Sequence, residues 1–71
     1  METIDLHGIR HEDAIKIITE ACAMSETPFV VITGRSDEMK KIVSAAVAPF
    51  QLKARETINN PGRVIVDDIL P

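Results

Sequence analysis

Phe29-Val30-Val31-Ile32, followed at once by Thr33-Gly34-Arg35-Ser36, is the stretch on which the fold turns. Four apolar residues with no polar alternation describe a strand hemmed in on both sides, so this run predicts a central strand. The Thr33-Gly34-Arg35 that follows reads as a turn, and the Ser36 side chain can cap a helix. Asp37 and Glu38 then fall in the first turn of that helix, where its positive end favours acids. Met39, Ile42, Val43, Ala46 and Val47 recur at steps of three and four and form its buried stripe, which Pro49 brings to a stop.

Working outward, Thr3-Ile4-Asp5-Leu6-His7 alternates with period two and predicts an edge strand covered on one face. Ile4 and Leu6 point inward. Asp5 and His7 share the opposite face, near enough for the carboxylate to influence the imidazole. Gly8 ends the strand. From Glu12 to Met24, Ala14, Ile15, Ile18, Ala21 and Cys22 mark an amphipathic helix. Cys22 is the single cysteine and reads as buried packing; it excludes a disulfide framework or a cysteine-rich zinc site within one chain.

On the other side, Leu52 to Ile58 alternates again, with Lys53, Arg55 and Glu56 as the charges that guard a sheet edge. Asn59-Asn60-Pro61-Gly62 is a dense turn signal, and Arg63 to Leu70 returns as Val64-Ile65-Val66 and then Ile69, giving a hairpin. The pattern is strand, helix, strand, helix, strand, strand. Strands joined through helices should be parallel with right-handed crossovers, and the last strand runs back antiparallel. Placing the two most apolar strands centrally gives a four-stranded mixed sheet of order 1-2-4-3, with both helices on one face. The expectation is one two-layer α/β domain over residues 1–71. A domain of this size buries only roughly 60% of its unfolded surface, so the core is thin.

This topology collects the turns after the first three strands at the carboxyl edge, where ligands of open α/β sheets bind. His7-Gly8, Arg10-His11, Thr33-Gly34-Arg35-Ser36 and Asn60-Pro61-Gly62-Arg63 meet there, beside two helix N-termini that favour anions. Glu12, Asp13, Asp37 and Glu38 occupy the same first turns and would repel a close phosphate; stabilising their helices is their simplest role. No spacing specifies a metal site by itself, and a magnesium-type ion is the one cofactor these acids leave open.

Composition narrows the classes further. Phe29 and Phe50 are the only aromatic residues, so no base-stacking platform is available. A net charge of -3 argues against broad electrostatic binding of a phosphate backbone and confines any nucleic-acid contact to a local patch. Met1-Glu2-Thr3-Ile4-Asp5 has no basic segment followed by an apolar run, and no stretch is long enough to span a bilayer. The expectation is a cytoplasmic protein with no membrane partner.

Ile4-Asp5-Leu6-His7-Gly8 resembles the Leu-Asp-Leu-His-Gly signature of Smr (small MutS-related) domains, followed as in that family by an acidic pair and an alanine, here Glu12-Asp13-Ala14. Ile32-Thr33-Gly34-Arg35 is similar to the family's turn of Thr or His, Gly, Lys or Arg, then Gly. Gly62-Arg63-Val64-Ile65-Val66 is similar to its closing glycine and apolar strand. The resemblance spans nearly the whole chain. It implies a fold like the C-terminal domain of translation initiation factor three and an activity of nicking DNA or cleaving RNA. By position, Asp5 and His7 match the family's acid and histidine, Gly34 and Arg35 its glycine-basic turn, and Gly62 its last loop. The sequence departs from the pattern at Ser36, where the family has a second glycine, at Arg10, which replaces the usual Thr cap, and at Asn59-Asn60-Pro61.

Two classes of function follow. In the first, an endonuclease, His7 acts as general base or acid, Asp5 fixes its tautomer and Arg35 stabilises phosphorane charge. Arg10, His11, Ser36 and Arg63 stand around them as further phosphate contacts, or as solvated turn residues. In the second, the same edge binds nucleic acid without hydrolysis, or the open sheet face holds a protein partner or a second copy of the chain.

Overall fold

The strands and helices follow the periods of the sequence. In the computed structural model, which describes residues 1–69, β1 covers Thr3–Asp5, α1 His11–Met24, β2 Phe29–Ile32, α2 Asp37–Val47, β3 Leu52–Thr57 and β4 Asn60–Asp68. The four strands form one sheet of order β1-β2-β4-β3. β1 runs parallel to β2, while β4 is antiparallel to both β2 and β3. The two helices pack together over one face. This is the mixed two-layer architecture that the order of apolar segments predicted.

Strand alternation sorts the residues between the faces. Leu6, Phe29, Val31, Leu52, Val64 and Val66 meet Ala14, Ile18 and Ala21 of α1 and Met39, Val43 and Val47 of α2 in a single apolar cluster. The other face carries Thr3, Val30, Ile65 and Arg55 in one register row, and Asp5, Ile32 and Arg63 in the next. No helix of the described residues is long and apolar enough to cross a membrane.

The helix stripes are narrower than the sequence suggests. Ile15 is 47% exposed and Cys22 is half-buried, because Ala14, Ile18 and Ala21, three and four apart, form the centre of the stripe and their neighbours lie about 100° round the helix. α2 is followed by a 3-10 turn over Ala48–Phe50, with Pro49 inside it, and Gln51 takes a left-handed φ of 59° to swing the chain into β3.

Three strand ends differ from expectation. β1 stops at Asp5, although the Leu6 N–H still reaches the Ile32 carbonyl at 2.8 Å. The hairpin turns at Ile58 and Asn59, with Thr57 opposite Asn60, so Pro61 and Gly62 lie within β4. Between Glu56–Val64 and Thr57–Asn60 the register jumps, and Pro61, Gly62 and Arg63 bulge away from β3. Proline brings no N–H to the ladder, which suits it to that bulge. The last strand, expected to run to Leu70, ends at Asp68; Leu70 lies outside the described residues.

Candidate functional site

The chain leaves β1 through a tight turn. The Ile9 N–H donates to the Leu6 carbonyl at 3.0 Å, and Gly8 has a φ of 78°, the backbone that the third residue of such a turn requires. His7 therefore sits on a turn, exposed, rather than in the strand. Its main-chain N–H donates to Asp5 Oδ1 at 2.8 Å. The Asp5 carboxylate holds the backbone of the turn that carries His7, a local side-chain to main-chain bond of the kind Asp makes readily.

The turn after β2 is tied to β4. The carbonyl of Gly62 accepts the N–H of Thr33 at 3.0 Å and that of Gly34 at 2.9 Å. Thr33 is buried, and its hydroxyl donates to the Gly34 carbonyl at 2.8 Å, with the Gly62 carbonyl at 3.4 Å. Gly34 has a φ of 68°. Gly62 is fixed in turn from behind, where its N–H donates to Asn60 Oδ1 at 3.1 Å. Two motifs far apart in sequence thus become one hydrogen-bonded corner. Arg35 emerges from it exposed.

The helix starts complete the edge. Ser36 Oγ accepts the Met39 N–H at 3.0 Å and caps α2, so at this position the serine has a structural task of its own. Arg10 occupies the cap position of α1 without a side-chain cap, which leaves first-turn N–H groups without a side-chain acceptor. The two helix starts touch through His11 Nδ1 and Glu38 Oε1, 3.7 Å apart.

Charge is unevenly compensated along this edge. Arg10 lies 3.7 Å from Glu12 and 3.5 Å from Asp13. These pairs are solvent-exposed and contribute little stability, yet they offset its charge. Arg35 and Arg63 form no ion pair among the described residues. Arg63 stands on the open face in line with Ile32 and Asp5. Among the described residues, no three His, Cys, Asp or Glu side chains gather in a metal-holding group.

The structure therefore brings His7, Gly34, Arg35, Ser36, Gly62, Arg10 and His11 to one edge and turns Arg63 onto the neighbouring face. The sequence places Thr33 and Asn60 in the converging turns but gives neither a role, whereas in the structure they fasten the corner. The Asn two residues before Gly62 was a legible signal for Asn60, since Asn side chains bond the main chain two residues on. Comparison with known protein families, with characterised proteins and with solved structures yields no match for this chain.

Proposed function

We propose that this chain is an Smr-like domain that engages nucleic acid at its carboxyl edge and cleaves a phosphodiester bond there. One observation carries the reading: main-chain hydrogen bonds from Leu6 to Ile32 and from Thr33 and Gly34 to Gly62 fasten the three motif segments into a single edge, and His7 and Arg35 stand exposed along it. His7 takes the proton of the attacking water, or of a ribose 2′-hydroxyl in RNA, and returns a proton to the leaving oxygen. Arg35 meets the charge that grows on the phosphorane. Asp5 acts as a positioning residue, since its carboxylate holds the main chain of the His7 turn. Arg10, His11, Arg63 and the uncapped start of α1 are the neighbouring phosphate contacts. Among the described residues the acids do not gather round an ion site, and the chemistry of this reading rests on His7 and Arg35. A cytoplasmic location goes with this reading.

The test is to incubate the purified protein with supercoiled plasmid and with structured RNA, with and without magnesium, beside an Asp5→Ala/His7→Ala protein. Cleavage by the parent and none by the variant is expected. Equal cleavage by both means contamination and removes the enzyme.

A second reading is a binding module without hydrolysis. It is favoured by the same Asp5 bond, which engages the carboxylate with the main chain rather than the imidazole, and by the Cβ of Ser36 where the family pattern has glycine. Salt-sensitive binding with no cleavage under any condition supports it. A dimer or protein partner over Val30, Ile32 and Ile65 of the open face is separated from both by sedimentation; a strict monomer that captures no partner argues against it.

A further inference from the structure

Ile58 is 99% exposed, the most exposed large apolar side chain among the described residues, and it sits at the tip of the β3–β4 hairpin. Two-residue hairpin tips ordinarily hold Asn, Gly or Asp, whose backbones accept positive φ. Neither Ile58 nor Asn59 uses a positive φ, so nothing in the turn asks for isoleucine and nothing in the fold packs against it. Below the tip, a shallow recess runs past Arg63 to Val30 and Ile65 on the open face. Arg55 pairs with Ile65 in the adjacent strand. Gly62, next to Arg63, bonds the turn that carries Arg35, so the base of the hairpin stands beside that residue. Arg35, Arg55 and Arg63 make no ion pair among the described residues, as is also true of Lys16, Lys41 and Lys53, whereas Arg10, His11 and Lys40 do. In a chain of net charge -3, the exposed aliphatic side chain thus lines a recess with Arg63, while Arg55 on the adjoining strand and Arg35 on the turn bonded to Gly62 add two further guanidinium groups outside any ion pair among the described residues.

We infer that the hairpin tip is a wedge for base-paired nucleic acid: Ile58 enters a base step from the minor groove, Asn59 meets base edges, and Arg63 and Arg35 hold the flanking phosphates. An aliphatic side chain unstacks base pairs in this way, and guanidinium groups beside it hold the bent backbone. Single strands are bound instead by stacking on aromatic rings, and the only two here are Phe29, buried, and Phe50, exposed but in the 3-10 turn before β3, at the opposite end of that strand from the hairpin tip. The inference rests on the nucleic-acid reading above and narrows its substrate to a duplex.

The test uses the full chain with a DNA duplex, an RNA stem and the matching single strand, each carrying 2-aminopurine at a central pyrimidine–purine step. The parent protein is expected to prefer a duplex and to raise the emission of the unstacked base, with the DNA and RNA arms telling which helix it bends. Ile58→Ala should abolish the rise and weaken duplex binding about fivefold or more, with an unchanged salt slope and an unchanged circular dichroism spectrum. Preference for the single strand, an unchanged Ile58→Ala affinity, or no rise with the parent overturns the wedge while salt-dependent binding leaves the phosphate reading standing. No binding to any of the three at low salt overturns both.

Discussion

The carbonyl oxygen of Gly62 accepts the main-chain N–H of Gly34 at 2.9 Å, joining the turn after β2 to the first residues of β4. Gly34 makes that bond with a φ of 68°, and a Cβ built on it meets nothing within 4 Å. Gly34→Ala therefore tests the backbone alone, and a left-handed alanine costs about 1–2 kcal/mol. Gly34→Asn should lose less, because Asn tolerates this region. Urea unfolding measures both, and an Ala variant as stable as the parent would show that the turn does not hold its left-handed form.

Ser36 separates a capping role from a steric one. Its hydroxyl accepts the Met39 N–H, so Ser36→Ala should cost about 1 kcal/mol and Ser36→Gly only a few tenths. If a phosphate approaches this backbone, Ser36→Gly should also bind nucleic acid more tightly than the parent. Thermal melts paired with a binding titration read the two effects separately.

Arg35→Ala removes an exposed charge that no carboxylate holds among the described residues. Stability should stay within about 0.5 kcal/mol, while the slope of log affinity against log salt becomes shallower by about 1. An unchanged slope would remove Arg35 from the phosphate contacts.

Phe29 is fully buried in β2, against both helices' cluster. Phe29→Ala should cost about 3–5 kcal/mol. Native domains hold about 0.05–0.15 kcal/mol per residue, which for a chain of 71 residues is about 4–11 kcal/mol, so the variant should lose a large share of its stability and melt well below the parent. Circular dichroism decides it, and a cooperative melt near the parent's would contradict the core assigned here.

Burial pushes the Cys22 thiol above its ordinary value of 9.0. The folded state therefore favours the neutral thiol, and the stability this confers is complete below the unfolded pKa and lost as pH rises through the folded one. Urea midpoints of the parent should fall more steeply than those of Cys22→Ala above pH about 9. Parallel curves would mean that the thiol is solvated. At neutral pH the native thiol should also alkylate more slowly than the unfolded one.

Sequence and structure agree best where apolar periodicity is strongest. Phe29–Ile32 forms the strand its unbroken run predicts, and ranking the strands by apolar content placed β2 and β4 at the centre. Local turn chemistry misled at the hairpin. Pro61 and Gly62 are strong turn residues, but here they serve a bulge, and the chain reverses one step earlier at Ile58, which no propensity would select. Alternation that continues to His7 makes β1 look longer in sequence than its Thr3–Asp5, because the Asp5 carboxylate takes the His7 N–H at the turn that follows. The edge itself was legible from strand order. The bond between Gly62 and the Thr33-Gly34 turn was not, since a main-chain contact across 28 residues or more leaves no mark on the side chains that make it.

The bulge at Pro61–Arg63 also acts as a register lock. β4 could otherwise slide along β3 by one residue, which would turn Val64 and Val66 out of the core and Ile65 into it. Such a slip would carry Pro61, which has no N–H, into the regular ladder, and would pull Asn60 away from the Thr57 hydroxyl that donates to its carbonyl at 3.0 Å. The pairing of the central strand is thereby fixed from the hairpin end as well as by the apolar face it turns to the helices.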